Sequence, residues 1–379
     1  MMIKRRTMLW GLLGIAIAGC RSNNISAPLR IKLLARSVPS QVLKAFSRQT
    51  PTLFETEPTL ADIYRQLQWW QSQKASALPL WKRLFQIGIT SDSSSENEAL
   101  NTSLVTLSDP WLDHAIRERL IQPLSLDVPS VDRFPEPWQR LLRRDNQGKM
   151  TANGALWAVP YRTQGLIIAY QKSIFTPHAK NIRKWADLWR PELAGRIAMP
   201  NQPRLAVAIV LKALSYSAND EDALLRDDVK EQLLALYRQV KVFDSQDYLK
   251  ALVNEDVWLA VGWSGDILAT LVRYRRLGAV SPQEGTILTS DLWVSPNNSE
   301  PTAAAQSWIE FCLQAPIAAQ ISVSSHGMSP LFFTPDVNVP DALPGQMQQL
   351  LKDGEVLLPF SRRGEVAFKK LFSVDDHHE

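Results

Sequence analysis

Gly262-Trp263-Ser264-Gly265-Asp266 places a serine between glycines, an outline that superficially matches the turn exposing a hydrolase nucleophile. That turn needs a glycine where Asp266 stands, so the match fails. The histidines fall at 114, 178, 326, 377 and 378, with no His-x-x-x-His spacing among them. Asp113-His114 and the terminal Asp375-Asp376-His377-His378-Glu379 carry metal-ligand types. The terminal run reads as a solvated end, not a built site. Neither an enzyme nor a resident metal or cofactor is expected.

The thiol of Cys20 is the group whose setting says most. It follows the basic stretch Lys4-Arg5-Arg6 and an apolar run from Met8 to Ala18. A charged start, a short apolar run and a small-residue exit make residues 1–19 a signal peptide. The ending Ile17-Ala18-Gly19-Cys20 resembles the lipobox of a bacterial lipoprotein. That resemblance implies cleavage before Cys20 and acylation of its thiol. The apolar run is shorter than the ~20 residues of a spanning helix. Arg5-Arg6-Thr7-Met8-Leu9 also resembles a twin-arginine export signal, and both export routes stay open. The expected place is periplasmic or extracytoplasmic, anchored by lipidated Cys20, with residues 20–28 as a polar tether. Cys312 is the only other cysteine, so no intrachain disulfide is expected and Cys312 should be buried.

The chain carries 42 basic and 38 acidic side chains. Removal of residues 1–19 takes Lys4, Arg5 and Arg6 and no acid, leaving 39 against 38. The basic excess therefore belongs to the leader and gives no argument for nucleic acid. The remaining body is long enough for two lobes, each with a core.

Strands alternate with helices along that body, which predicts an α/β fold. Strands are expected at 29–35, 103–107, 158–161, 166–170, 196–199, 257–261 and 292–294. Helices are expected at 40–48 with Ser40 as a possible cap, at 60–74, near Trp81 to Phe85, and at 111–120. Further helices are expected at 181–188, 205–215, 229–240, 246–252, 267–276 and 302–313. Ser91 to Asn101 reads as a polar loop.

Several phrases, in their order, resemble the periplasmic solute-binding proteins of bacterial ABC importers of the spermidine and putrescine type. They are Ala158-Val159-Pro160-Tyr161 with Gly165 to Tyr170, then Trp185-Ala186-Asp187-Leu188-Trp189-Arg190-Pro191-Glu192-Leu193-Ala194-Gly195. Leu259 to Asp266, Gly285 to Pro296, and Ser307 to Phe311 with Ala315 to Ala319 follow. The resemblance covers roughly residues 30–335. It implies a two-lobed type II periplasmic binding protein fold with two interlobe hinge strands. One crossover is expected near Pro160 to Leu166 and the other near Thr289 to Val294. Lobe 1 would be 29–160 plus 291–379, and lobe 2 would be 161–290. The implied partners are a small-molecule ligand, a polyamine in the family, and a membrane permease that reads the closed form. The binding protein itself is expected to be monomeric.

A linear polyamine needs carboxylates at its ammonium ends and aromatic faces along its methylenes. At positions matching the family's cleft stand Asp291, Trp263 and Ser108. Asp109, Trp111, Tyr161 and Asp266 are further candidates, with Asp109 alternatively a helix cap. The departures are specific. Thr289 stands where the family has tryptophan, and Gly327 where it has tyrosine. The turn Asn201-Gln202-Pro203-Arg204 lacks the family's acids, and Leu34 to Ser37 replace its first-strand contacts. Arg36, Arg162 and Arg204 stand near these gaps. Two guanidinium groups facing the cleft would suit an anionic or zwitterionic solute instead.

Overall fold

The computed structural model describes residues 28–75, 102–175, 181–297, 299–300, 302–334 and 336–372. The signal peptide, Cys20 and its tether up to residue 27 lie outside the described residues, as do the loop 91–101, the helix expected near Trp81, and the terminal Asp-His run.

The strands in chain order are β1 (Leu29–Leu34), β2 (Thr52–Glu57), β3 (Thr102–Ser108), β4 (Ile121–Gln122), β5 (Arg143–Arg144), β6 (Ala155–Leu156) and β7 (Ala158–Gln171). They continue as β8 (Ile197–Met199), β9 (Val240–Phe243), β10 (Leu259–Trp263), β11 (Leu277–Val280), β12 (Thr286–Pro296) and β13 (Gly354–Val356). One mixed sheet follows the path β2-β1-β3-β12-β7-β10-β8-β9, with β11 added to β7 and with β4 and β13 added to β12. β1 is parallel to β2 and β3, and β8 is parallel to β10 and β9. The long strands β7 and β12 are antiparallel and join these two parallel groups. The α/β class read from the alternation is the class found.

Register decides where functional groups converge. β3 runs along β12 so that Val105 faces Val294 and its last residue, Ser108, faces Asp291. β10 runs along β7 so that Leu259 faces Tyr170 and its last residue, Trp263, faces Leu166. The carboxyl ends of both parallel groups therefore point at the middle of the β7–β12 pair. In open α/β sheets that crevice is where ligands bind.

The apolar residues form two clusters. One packs β1 and β3 through Ile31, Leu33, Leu104 and Leu107, together with the rings of Trp293 and Trp308. It continues past β7 through Ile167 and Ala169 to Leu252 and Ile267. The other packs the helix Pro203–Ala213, buried from Leu205 to Leu211, against Leu166, Ile168, Ile197 and Val261. Pro203 opens that helix where its missing N–H costs nothing.

Several expectations change. Residues 158–161 and 166–170 form one strand, because the polar run between them is paired. Arg162 faces Asp291, Thr163 faces Ser290 and Gln164 faces Thr289. The helix expected at 181–188 is a short 3-10 turn, Trp185–Trp189. There the Asp187 carboxylate accepts from the backbone N–H of Arg183 and Lys184, which favours a turn over a longer helix. Ser40 does not cap its helix; Pro39 precedes it without a side-chain cap. The C-terminal segment, expected wholly with lobe 1, returns to the other group. β13 pairs with Thr286 to Leu288 and keeps Val356 in the first cluster, whereas Ala367 and Leu371 of the helix Arg362–Phe372 join the second.

Candidate functional site

Where β3, β7 and β12 meet, four charged side chains converge from separate stretches of chain. Asp291 sits on β12 and is 2% exposed; Arg162 sits opposite it on β7 and is 6% exposed. Arg162 Nε lies 3.3 Å from Asp291 Oδ2. Asp109 follows the end of β3 and is buried, accepting a hydrogen bond from the Thr289 hydroxyl. Asp266 lies in the first turn of the helix Ser264–Arg273 and keeps a solvent-exposed edge.

The electrostatics follow from burial. Desolvation raises the Asp109 carboxyl to about 7, opposed by bonds from Thr289 and the Ser290 backbone, with Asp291 adding to the rise and Arg144 opposing it. Burial also raises Asp291, and the Arg162 guanidinium works against that rise. Crowding by surrounding protein raises Asp266, while Arg162 and a bond from Tyr248 lower it. His326 is held below its ordinary value by burial and by Arg162.

Asp109 Oδ2, Asp291 Oδ2, Arg162 Nε and His326 Nδ1 are all buried without a hydrogen-bond partner. Buried polar groups of folded proteins are nearly always paired. Two of the four, Arg162 Nε and Asp291 Oδ2, face each other as an ion pair at 3.3 Å, which leaves Asp109 Oδ2 and His326 Nδ1 as the unbonded atoms of the junction.

Trp263 is half-buried at the end of β10, its backbone N–H donating 3.2 Å to the Tyr248 hydroxyl, which donates 3.1 Å to Asp266. Gly262 is required there, since a Cβ would lie 2.0 Å from the Tyr248 ring. Ser108 is half-buried, with its hydroxyl 3.5 Å from that of Thr289. Trp111 is half-buried and meets Tyr64 edge-on at 5.1 Å.

Not every candidate belongs to this junction. Tyr161, read as a cleft wall, is fully buried. Its ring stacks on Trp293 at 4.2 Å and its hydroxyl donates to Ser37 at 2.9 Å. It presents no face to a solute. Arg204 donates to the carbonyl of Ala218 at 3.0 Å and lies over the Phe360 ring at 3.8 Å. That guanidinium braces the C-terminal segment. Arg36 is exposed on the loop after β1, in a left-handed backbone at φ 65°. Asp109 is no helix cap; its carboxylate faces β12. Asp113 and His114 are paired with Arg117 and Glu118 at 3.1 and 2.9 Å. Cys312 is a buried free thiol.

Sequence reasoning passed over Thr289, Tyr248 and His326 as site residues. Thr289 carried a signal, since a polar residue stood in an apolar strand. His326 stood beside the noted Gly327, in a left-handed turn at φ 52° that ends its helix. Tyr248 gave no signal, because its reach to Asp266 depends on packing.

A family model described as "Bacterial extracellular solute-binding protein" matches residues 88–337. Among curated proteins, the spermidine/putrescine-binding periplasmic protein of Escherichia coli is 26% identical over 219 residues, 58% of this chain and 60% of that protein. The protein of the same description from Salmonella typhimurium is 27% identical over 166 residues, 44% and 47% of the two chains. The match thus spans about half the length of these relatives. A solved spermidine/putrescine ABC transporter substrate-binding protein from Streptococcus pneumoniae shares the fold, with a TM-score of 0.66 at 19% identity over 91% of this chain and 97% of that one.

Proposed function

The chain belongs to the bacterial extracellular solute-binding proteins, and from that premise we propose that it captures a small amine-bearing solute at the β7–β12 junction for an ABC importer. The observation that carries this reading is the group of four buried polar atoms without a hydrogen bond around Asp291 and Arg162, two of which, Arg162 Nε and Asp291 Oδ2, form an ion pair. Two of the four are carboxylate oxygens, and exposed Asp266 adds a third acid beside them. Converging carboxylates suit an ammonium group, and Trp263 supplies an aromatic face for a methylene chain. Relatives described as spermidine/putrescine-binding make polyamines the first class to try.

The solute is bound and released without a bond being broken. Among the described residues, those of 29–160 and 291–361 form one lobe, and those of 161–290 with the helix Arg362–Phe372 form the other. β7 and β12 are the hinge, and closure over the solute gives a membrane permease its signal. The protein works as a monomer. Cys20 is acylated after export and holds it at the extracytoplasmic face.

A melting screen of the body from residue 28 against spermidine, putrescine and other primary amines tests the reading. A solute at a hundredfold its Kd stabilises the folded form by about 2.7 kcal/mol, a readily measured shift. A well-folded body that no amine shifts overturns it. Metabolic labelling with an alkyne fatty acid tests the anchor: label on the wild type and none on Cys20→Ser is the expected pair, and an unlabelled wild type overturns it.

A further inference from the structure

Arg162 is more than nine-tenths buried, yet its only ion pair within 4 Å among the described residues is with Asp291, at 3.3 Å from Nε. No hydrogen bond from its guanidinium occurs among the described residues, and Nε is held to Asp291 by charge alone. A guanidinium offers five N–H donors in a rigid fork matched to a carboxylate. Only Nε is among the buried atoms without a hydrogen bond, so the two Nη nitrogens are the donors open to an arriving acceptor.

Space for it has been cleared. A Cβ on Gly327 would lie 2.4 Å from Arg162 Cγ and 2.8 Å from Nε. A Cβ on Gly265 would lie 3.0 Å from Nη2. A side chain at Gly327 would press on the Arg162 stem, whereas at Gly265 the tightest contact would be Gln164 Oε1 at 2.3 Å. The Nη2 side of the fork also meets the start of the ten-residue helix Ser264–Arg273, the end of a helix that favours an anion.

We propose that the solute carries a carboxylate as well as an ammonium, the carboxylate gripped by Arg162 and the ammonium held by Asp266 and Asp291. This rests on the reading that an amine binds at this junction. The guanidinium already occupies Asp291 as a ligand's own cation would. A plain diamine must therefore bring an ammonium up to a like charge, whereas an amino-carboxylate answers both the fork and the acids.

Matched pairs that differ by one carboxylate make the test: ornithine against putrescine and lysine against cadaverine, titrated calorimetrically into the wild-type body. The expected result is binding of the amino acid about tenfold or more tighter than its diamine. Arg162→Gln should abolish that preference, and Arg162→Lys, which keeps charge but loses the fork, should reduce it. If the diamine binds as tightly as its amino acid, the carboxylate claim is overturned while amine capture stands. If a folded wild type binds none of the four, both fall. The wild-type order decides even where a variant does not fold.

Discussion

Arg162 on β7 and Asp291 on β12 are direct cross-strand partners, and their side chains form an ion pair at 3.3 Å where both are almost wholly buried. The pair sits on the two strands that join the parallel groups of the sheet, so it lies in both the proposed hinge and the proposed site. Losing one member leaves an uncompensated buried charge, which costs about 3–5 kcal/mol. Arg162→Ala should therefore lower the urea midpoint sharply. Combining Arg162→Met with Asp291→Leu should cost far less than the single change, because no charge is left behind. A double variant as unstable as the single one would show that the pair is not what the site depends on for stability.

Asp109 gives a pH dependence of definite sign. Its carboxyl ionises near 7 in the folded chain, against 3.8 for the ordinary group. A raised acid favours folding while protonated. Its contribution is full below about pH 4 and is lost as pH rises through about 7. Asp109→Asn, which still accepts from Thr289, should remove this fall. Unfolding free energies at pH 5 and pH 8 should then differ less in the variant, by roughly 2–4 kcal/mol. Identical slopes for wild type and variant would contradict the assignment.

Tyr161 and Trp263 should separate stability from binding. Tyr161→Phe loses bonds to Ser37 and Thr106 in the core. It should cost about 1–2 kcal/mol of stability and leave solute affinity unchanged. Trp263→Ala should weaken binding about tenfold and alter stability little, since that ring is only half-buried. The reverse pattern in paired melts and titrations would move the site away from β10.

Much of the fold was legible because it is written locally. Alternation marked β1 and β3, and the Val257 to Val261 run marked β10. The Ala-rich helix Ala303–Cys312 showed its period directly. The junction of β7 was less legible. Arg162, Thr163 and Gln164 read as a break, since a polar run in a strand makes sense only once β12 is opposite it. β2 was missed because Thr52–Glu57 has little apolar alternation and is held by pairing with β1.

The site was legible in part for the same reason. Asp291, Trp263 and Asp109 stand at the ends or middle of strands that the pattern could place. Arg162 and Arg204 were equivalent by sequence, being arginines beside family gaps. Their difference lies in long-range packing. Arg204 is satisfied by Ala218, Asn219 and the Phe360 ring, whereas Arg162 keeps unused donors beside Asp291. The placement of the C-terminal helix was illegible for a related reason, since an amphipathic face does not say which surface it covers.

Calorimetric titration of amine-bearing solutes into the wild-type body and into Asp291→Asn, side by side, tests the central claim most directly. One solute per chain should bind with saturable heat, and the variant, confirmed folded by its circular dichroism, should bind at least about tenfold more weakly. No heat from a folded wild type at ~1 mM solute, or equal affinity for the two proteins, would contradict capture at the Arg162–Asp291 junction.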